Sequence, residues 1–475
     1  MRKILAKTKI LITVGPASDT KEKLEPLVDA GCNALRLNFS HGSFDYFEKV
    51  FDEINDLCVT RSLPIPILID LQGPKIRIGE LEEPEINLIK GEKIELTTEK
   101  IIGNAKRVST SYSLLPIDAE VGNKILIDDG LIHLKVIAKQ ENSVTCEIID
   151  GGKLKPKKGM NLPGMKLSTS SVTEKDLTNL EFALKHRVDY IALSFVRNAS
   201  DIYHLKKWLE DKGFDKPIIA KIEKPEAVSN FESILMAADG IMVARGDLGV
   251  ELKAHEVPII QKRIIKRCNE VGKLVITATQ MLESMVSNPV PTRAEASDVA
   301  NAVWDGTDVV MLSAETSVGK YPAQTVKIMN EIILNAERAY EFERAINFAR
   351  PEYIEENLFD SMNKGICAIS KQINANAIIA FTAKGNTPIS LSKFRPQALI
   401  IGVTDSFDTM NKLSLKWGVL PLFCKDISDR HRAAEIVHKL IFKENLVDQG
   451  DLVIFTEGGL KIKNARENWI RFEVV

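Results

Sequence analysis

The sequence has no long apolar run, no paired cysteine motif and little net charge, and each absence excludes a class of protein. No stretch approaches the roughly 20 apolar residues of a membrane-spanning helix. The six cysteines are scattered without a C-x-x-C pair, which argues against a disulfide framework or a zinc site and predicts a cytoplasmic protein with reduced thiols. A formal net charge of −2 gives no electrostatic reason to expect a nucleic acid or a membrane as partner. The N-terminal stretch MRKILAKTKILITVG is interrupted by lysines and is expected to be a leading strand rather than a secretory signal.

At 475 residues the chain is too long for one compact core and is expected to form about two to four domains. Most of it repeats one unit, in which an apolar β-branched run is followed by a polar or Gly-containing loop and an amphipathic helix. The strand-like runs are Thr8–Val14, Ala34–Phe39, Ile65–Asp70, Tyr190–Phe195, Ile218–Ile222, Gly240–Ala244, Leu274–Thr277 and Asp308–Leu312. Eight such units predict a (β/α)8 barrel of parallel strands. An open doubly wound sheet has the same alternation, but it usually carries fewer units.

Two segments interrupt or follow this repeat and indicate further domains. Short alternating runs punctuated by Gly-Gly, Asp-Gly and Gly-Asn predict a small all-β domain, a β-barrel placed to act as a lid, at residues 74–165. A second, smaller α/β domain, with a regulatory role, is predicted at residues 350–475. The predicted fold class is therefore α/β, with a (β/α)8 TIM barrel at residues 1–73 and 166–345 as the catalytic domain.

The stretch from Ile219 to Glu251 carries the strongest chemical signal. Two apolar runs there end in charge, the first in Lys221 and Glu223 and the second in Asp247. Because buried parallel strands present their charged residues at their carboxyl ends, we expect these side chains to lie close together. Two carboxylates suit a hard divalent cation such as Mg²⁺, with Mn²⁺ as an alternative, and Lys221 adds a point charge. This combination suits chemistry on a phosphorylated substrate, although such charges are also common as ordinary solvated strand ends.

A turn in the C-terminal segment also has the composition of an anion site. Thr382, Lys384 and Thr387 lie in T-A-K-G-N-T, between a predicted strand and a predicted helix. Hydroxyl groups, glycine and a helix N-terminus can bind the phosphate of an allosteric effector. A simple capped turn explains the same residues without any ligand.

The ordered set of motifs resembles the pyruvate kinase family over essentially the whole chain. The motifs include TKILITVGPAS, LRLNFSHG, DLQGPKIRIG, IDDGLIHLKV, KKGMNLPG, ALSFVR, AKIEKPEAV, IMVARGDLGVE, ITATQMLESM and TAKGNTPISLSKFRP. Single motifs are weak signals, whereas the ordered set is specific. The resemblance implies a barrel with an inserted lid and a C-terminal α/β domain, in a cytoplasmic homotetramer. It also implies transfer of the phosphoryl group from phosphoenolpyruvate to ADP with Mg²⁺, giving pyruvate and ATP in the last step of glycolysis.

Residue roles follow from the same resemblance. Lys221 matches the lysine that faces the migrating phosphoryl group, and Thr279 matches a threonine that binds substrate and relays a proton. Other family positions sort into three sets: substrate binding (Arg36, Gly246, Asp247, Thr279), metal (Glu223, Asp247) and nucleotide (Asn38, His41, Arg77, Lys158). His41 is equally compatible with a structural role at the tip of its loop.

One departure from the family pattern concerns K⁺. Many members hold this ion in a pocket that corresponds here to Asn38, Ser40, Asp70 and the carbonyl of Leu71. Lys75 stands where the K⁺-dependent members carry Glu, and Leu71-Gln72 replaces their Thr-Lys. The tethered ammonium of Lys75 is therefore expected to replace K⁺, so that K⁺ is not required.

Two rival functions remain open at this stage. A Mg²⁺-dependent lyase or aldolase that binds a pyruvate enolate could use the same barrel and the same acid pair. A catalytically inactive homologue that only binds sugar phosphates is the second rival. The nucleotide-facing Arg77 and Lys158 argue against the lyase, and the intact Lys221 and Thr279 argue against the inactive homologue.

Overall fold

The protein is described by a computed structural model that covers residues 5–40, 42–61, 63–339, 354–425, 427, 430–462 and 465–475. It divides into two compact units, the first comprising residues 1–69, 183–191 and 262–475 and the second comprising residues 70–182 and 192–261. This division does not follow the predicted boundaries of barrel, lid and C-terminal domain, which stay a prediction. Among the described residues, no helix combines the length and the apolar character needed to cross a membrane.

Strands and helices alternate through most of the chain. In chain order the strands are β1 (Lys9–Thr13), β2 (Ala34–Asn38), β3 (Ile67–Asp70), β4 (Ile86–Leu88), β5 (Lys93–Thr97), β6 (Arg107–Ser109), β7 (Lys124–Ile127), β8 (Ile132–Lys139), β9 (Ser143–Asp150), β10 (Gly152–Leu154), β11 (Met160–Asn161), β12 (Tyr190–Leu193), β13 (Ile218–Ile222), β14 (Gly240–Ala244), β15 (Leu274–Ala278), β16 (Val309–Leu312), β17 (Ala377–Phe381), β18 (Leu399–Thr404), β19 (Val419–Phe423), β20 (Leu452–Ile462) and β21 (Ala465–Val474). The α-helices are α1 (Lys21–Ala30), α2 (Phe44–Arg61), α3 (Leu115–Asp118), α4 (Glu174–Ala183), α5 (Ala199–Asp211), α6 (Pro225–Ser229), α7 (Phe231–Ala237), α8 (Arg245–Glu251), α9 (Val257–Val271), α10 (Arg293–Asp305), α11 (Ala314–Ser317), α12 (Pro322–Ala339), α13 (Ile354–Gln372), α14 (Asn386–Lys393), α15 (Phe407–Ser414) and α16 (Arg430–Lys443), and a 3₁₀ turn spans Glu283–Val286.

Eight of these strands form a closed parallel barrel in the order β1-β16-β15-β14-β13-β12-β3-β2. Their sequences are runs of four or five residues, almost all of them buried, as expected for strands covered by helices on one side and filled by side chains on the other. The predicted (β/α)8 barrel is therefore confirmed, and the open doubly wound sheet is excluded. The strand bounds agree with the predicted runs to within about two residues.

The segment between β3 and β12 is built mainly of antiparallel strands around its own apolar core. A six-stranded sheet has the order β11-β7-β8-β9-β5-β6, and β10 pairs separately with β4. Isolated antiparallel bridges join Arg77 to Gly159, next to β11, and Ile78 to Thr110, next to β6. The β-barrel that the sequence predicts for this segment stays a prediction.

The C-terminal segment forms a five-stranded sheet of order β19-β18-β17-β20-β21, in which only the pairing of β20 with β21 is antiparallel. Within this segment the sequence predicts strands at Ala377–Phe381, Ala398–Val403, Val419–Phe423 and Asp451–Phe455. The first and third have these bounds in the structure, the second is shifted by one residue, and the fourth spans Leu452–Ile462.

A buried cationic contact joins this C-terminal segment to the start of β16. One guanidinium nitrogen of Arg395, Nη2, donates to Asn269 Oδ1 at 2.6 Å and to the carbonyl of Gly306 at 2.8 Å, and it forms an ion pair with Asp308 Oδ1 at 2.8 Å. The guanidinium also lies 4.8 Å from the ring centroid of Trp417, which is almost fully buried. Because both charges of the Arg395–Asp308 pair are buried, each depends on the other for compensation.

We predict that Asp308→Asn lowers the free energy of unfolding by about 3–5 kcal/mol, because it leaves the Arg395 guanidinium buried without a counter-charge. Nearby Lys416 adds to the effect, since burial lowers its pKa and the Asp308 carboxylate opposes that shift. The measurement is the urea midpoint and slope. The control is Asp29→Asn, which breaks an exposed pair with Arg61 and should change stability by less than about 1 kcal/mol. Equal midpoints for the two variants would contradict the prediction.

Candidate active site

Lys221, at the carboxyl end of β13, occupies the centre of a buried polar cluster. Its Nζ lies 2.9 Å from Glu223 Oε1 and 3.2 Å from Asp70 Oδ1, and it donates to Ser194 Oγ at 2.6 Å. The Ser194 hydroxyl in turn donates to Asp70 at 3.4 Å. Lys221 and Glu223 are two residues apart, so their side chains leave the same face of the strand, as the sequence predicts. The cluster brings together one ammonium and two carboxylates that have almost no access to water.

The electrostatics of Glu223 show that a second carboxylate lies nearby. Burial raises the pKa of Glu223, the negative charge of Asp247 raises it further, and the Lys221 ammonium acts in the opposite direction. The other carboxylate oxygen, Oε2, accepts the backbone N–H of Phe195 at 2.6 Å. Phe195 holds that N–H in place with a positive φ of 55°, a conformation uncommon for a non-glycine residue.

The two carboxylates have the donor chemistry of a Mg²⁺ site. Among the described residues, no group of three or more His, Cys, Asp or Glu side chains is arranged to hold a metal by itself. Glu223 and Asp247 would therefore supply two oxygen ligands and leave other positions to water and substrate, which is the usual arrangement for Mg²⁺. Burial is the largest cause of the raised pKa of Glu223, and the negative charge of Asp247 adds to it, so a bound cation would favour the ionised carboxylate.

Asp247 belongs to α8, which starts directly at the end of β14. The sequence predicts that R-G-D-L-G is a loop leading into a helix, whereas Arg245 is already the first residue of the helix. Gly246 and Asp247 thus lie in the first turn of α8, the end at which the helix dipole is positive. This position suits an anionic ligand.

A cleft in the second unit lies between the inserted β segment and the ends of these strands. Its walls include Lys75, Asp129, Asn161, Arg197, Lys224 and Asp247. The Lys75 side chain is exposed on this wall. The carboxylate of Asp70, which Lys75 is expected to approach, forms an ion pair with Lys221. Leu71 continues from β3 and donates its N–H to the carbonyl of Ala192 at 3.0 Å.

Two nucleotide candidates, Arg77 and Lys158, lie on two neighbouring, paired stretches of backbone in the inserted segment. Arg77 forms a backbone bridge with Gly159 and donates through Nη1 to the carbonyl of Lys157 at 2.9 Å. Lys158 forms an ion pair with Asp128 at 2.8 Å. Both cations therefore already bind groups of the inserted segment, and a nucleotide phosphate would compete with those groups.

The remaining barrel candidates belong to the first unit. Arg36 lies in the middle of β2, and its Nη1 donates to Thr13 Oγ1 at 2.8 Å. Asn38 ends the strand, and its Oδ1 accepts the N–H of Ser40 at 3.1 Å. Thr279, directly after β15, has a positive φ of 69°, and its hydroxyl donates to the carbonyl of Ala278 at 2.6 Å. A β-branched residue in this conformation is strained, and such strain concentrates at functional sites. His41 lies outside the described residues.

The acid Glu315, at the barrel strand ends, has a structural role that is visible in its hydrogen bonds. Glu315 is fully buried, and its carboxylate accepts the N–H groups of Ser313 at 2.6 Å and Leu282 at 3.2 Å. These bonds hold the backbone after β16 to the segment after β15.

In the C-terminal turn, two of the three effector candidates are buried. Thr382 Oγ1 accepts the N–H of Gly385 at 2.9 Å, which closes the turn, and Lys384 is exposed. The hydroxyl of Thr387, in the first turn of α14, is buried and has no hydrogen-bond partner among the described residues.

Several residues around the cleft have no assignment from the sequence. Arg197 donates to the carbonyls of Leu167 and Thr169, both at 2.6 Å, and so holds the chain that returns from the inserted segment. Lys224 follows Glu223 directly and pairs with Glu251. The available signals were their positions, since Arg197 ends the motif ALSFVR and Glu251 is four residues after Asp247 on one face of α8.

A closed parallel barrel whose strand ends hold a buried ammonium among carboxylates defines the class: a (β/α)8 enzyme whose site stabilises negative charge. Comparison with protein families gives the particular family. The model of the pyruvate kinase barrel domain matches residues 5–326, and the model of the pyruvate kinase alpha/beta domain matches residues 360–471. The chain belongs to the pyruvate kinase family, which consists of phosphotransferases.

Similar proteins agree with this assignment. A pyruvate kinase from Geobacillus stearothermophilus is 43% identical over 472 residues, which are 99% of this chain and 80% of the relative. One from Staphylococcus aureus (strain MRSA252) is 40% identical over 473 residues, 99% of this chain and 81% of the relative. The crystal structure of a pyruvate kinase from Cryptosporidium parvum has a TM-score of 0.92 at 35% identity and covers 98% of this chain and 96% of that one. The family resemblance and the enzyme class expected from the motifs are thus confirmed.

Proposed function

We propose that the chain transfers the phosphoryl group of phosphoenolpyruvate to ADP and protonates the resulting enolate, giving pyruvate and ATP in the last step of glycolysis. The observation that carries this proposal is the Lys221 ammonium held among Glu223, Asp70 and Ser194 at the barrel end. Phosphoryl transfer requires positioning and charge stabilisation more than covalent chemistry from the protein, and this cluster provides both.

Each side chain has a defined task in this proposal. The bond from the enolate oxygen to phosphorus breaks while an oxygen of the ADP β-phosphate bonds to phosphorus, and Lys221 stabilises the charge on the migrating group. The guanidinium of Arg36 binds the phosphate, and the N–H groups of Gly246 and Asp247 bind the substrate carboxylate. Mg²⁺, bound by Glu223 and Asp247, would supply Lewis-acid stabilisation of the phosphoryl and enolate oxygens, with Mn²⁺ as a substitute.

The enolate carbon must then gain a proton. In this proposal Thr279 is the proton donor, and its hydroxyl passes a proton through a water molecule to that carbon. Asn38, His41, Arg77 and Lys158 bind the nucleotide. We also propose a homotetramer in the cytoplasm, with domains bounded as the sequence predicts.

The first test uses Lys221→Met in a coupled assay with phosphoenolpyruvate and ADP. Loss of the ammonium should lower kcat by a factor on the order of 10³ or more, because a preorganised charge acts mainly on the transition state. The dissociation constant of phosphoenolpyruvate, measured by calorimetry, should change far less. Lys212→Met, at an exposed lysine paired with Glu181, is the control and should retain full turnover. Near-normal turnover of Lys221→Met would overturn the role given to Lys221, and a wild type without turnover would overturn the proposed function.

The second test concerns K⁺, which we propose is not required because Lys75 supplies a tethered monovalent charge. The position of Lys75 on the wall of the cleft that also contains Asp247 supports this idea. Wild-type activity should be nearly complete in a K⁺- and NH₄⁺-free buffer with Mg²⁺, and Lys75→Glu should create K⁺ dependence because its carboxylate attracts a mobile cation.

The control for this test is Lys175→Glu, which reverses the charge of an exposed lysine that donates to Gln72 in the same loop region. It should leave the enzyme independent of K⁺. A wild type that is almost inactive until K⁺ is added would contradict the proposed replacement of the ion by Lys75.

The third test concerns regulation by a phosphorylated effector at Thr382, Lys384 and Thr387. The exposed ammonium of Lys384 and the unpartnered buried hydroxyl of Thr387 support an anion site at this turn. Thr382→Ala with Thr387→Ala should abolish activation by a sugar phosphate or nucleotide and preserve unactivated turnover. Lys384→Met should weaken activation without disturbing the turn, whereas Lys439→Met, at an exposed lysine of α16, should not. A screen of phosphorylated metabolites without any activator would contradict this proposal.

A further inference from the structure

One buried ion pair near the cleft has no role in the chemistry described above. Lys224 Nζ lies 2.7 Å from Glu251 Oε1, and the two side chains are only 8% and 2% exposed. Lys224 immediately follows Glu223 at the end of β13, and Glu251 is the last residue of α8, the helix that carries Asp247. The pair therefore connects the two elements that supply the carboxylates of the proposed metal site.

The inserted β segment contributes a third member. Asn161, in β11, donates through Nδ2 to the same oxygen, Glu251 Oε1, at 3.1 Å. β11 is fixed to the body of the segment by its pairing with β7, in which Asn161 lies opposite Leu126. One carboxylate oxygen thus joins a barrel strand end, the helix of Asp247 and the inserted segment.

The other oxygen of Glu251, Oε2, is buried and has no hydrogen-bond partner among the described residues. A buried carboxylate oxygen without a partner opposes folding, and a buried ion pair is weak support for stability. Asn161, Lys224 and Asp247 all line the cleft, so the contact is next to the site rather than in a distant core. These facts favour a role in positioning over a role in stability.

We propose that Lys224, Glu251 and Asn161 form a latch, in which Glu251 is the positioning residue that couples the inserted segment to Asp247. Asp247 and Glu251 are four residues apart on one face of α8, so fixing Glu251 fixes the orientation of Asp247. When Asn161 is engaged, the helix is held and the two metal carboxylates keep their spacing. When the segment moves away, Glu251 loses a donor and Asp247 is less firmly held. The inference rests on the proposed function only in treating Glu223 and Asp247 as metal ligands.

The test exchanges the amide and the carboxylate of the latch in the full-length protein. Asn161→Asp places two carboxylates against one lysine, and Glu251→Gln leaves Lys224 buried beside a neutral amide. The double variant Asn161→Asp with Glu251→Gln restores one carboxylate, one amide and one ammonium in the same space. Mn²⁺ affinity is measured by electron paramagnetic resonance, amide exchange is measured at residues 159–162, and thermal midpoints are measured for all variants.

Each single variant should raise the dissociation constant of Mn²⁺ by about tenfold, the loss expected for one hydrogen bond to a charged group. Each should also speed amide exchange at residues 159–162. The double variant should recover to within about threefold of the wild type in both measurements. Asn142→Asp is the matched control, because it makes the same change at an exposed asparagine of the inserted segment, and its effect should stay below about twofold.

Three results would overturn the latch. One is Mn²⁺ affinity unchanged in both single variants while their thermal midpoints fall, which is the pattern of a purely structural pair. Another is a double variant whose losses are the product of the two single losses. The last is faster exchange without weaker Mn²⁺ binding, which would show that the segment is not coupled to Asp247. If the variants show the expected pattern of Mn²⁺ affinity and amide exchange but the wild type does not turn over phosphoenolpyruvate, the latch is supported and the proposed function is overturned.

Discussion

The charge balance around Lys221 is the constraint on which the site depends. Glu223 and Asp70 are almost fully buried, and the ammonium between them compensates charges that could not otherwise be held away from water. Asp247 adds a further negative charge close enough to raise the pKa of Glu223. The site is thus left with an excess of negative charge that suits a divalent cation, while contacts with Glu223, Asp70 and Ser194 fix the direction of the Lys221 side chain. The charges that compensate one another in the folded site therefore also create an electrostatic field that suits a phosphoryl group.

The sequence predicts the barrel well because two independent signals coincide in each unit. Runs such as Ile218–Ile222 and Gly240–Ala244 are apolar for the length of a buried strand and then end in charge, which fixes both the element and its catalytic end. Helix starts are predicted less well. The segment Ile202–Lys212 is predicted from its periodicity, but α5 begins at Ala199, where the side chain of Asn198 caps the helix. Short strands such as β6 and β11 were missed because two or three residues carry no period.

The site is predictable in its members more than in its contacts. The spacing of Lys221 and Glu223 places them on one face, but Asp70 is 151 residues away from Lys221, and no local pattern reports their contact. Local backbone conformation cannot be predicted from the sequence either, since the residue types of Phe195 and Thr279 do not indicate a positive φ. Thr279 follows β15 directly and Phe195 lies two residues after β12, and both conformations cost free energy that tertiary contacts must offset. Contacts such as Arg197 with the returning chain depend on packing that forms only when the inserted segment is in place.

The burial of Arg395 against Asp308 has a consequence for how the chain is made. Asp308 emerges from the ribosome 87 residues before its counter-charge, and Trp417, which covers the guanidinium, emerges later still. Until then the entrance to β16 holds a carboxylate without its cation, so the last barrel strand lacks a contact that the finished fold relies on. The closing steps of barrel folding are thereby tied to completion of the C-terminal segment. A nascent chain halted between residues 313 and 394 contains all eight barrel strands but lacks the cation that compensates Asp308.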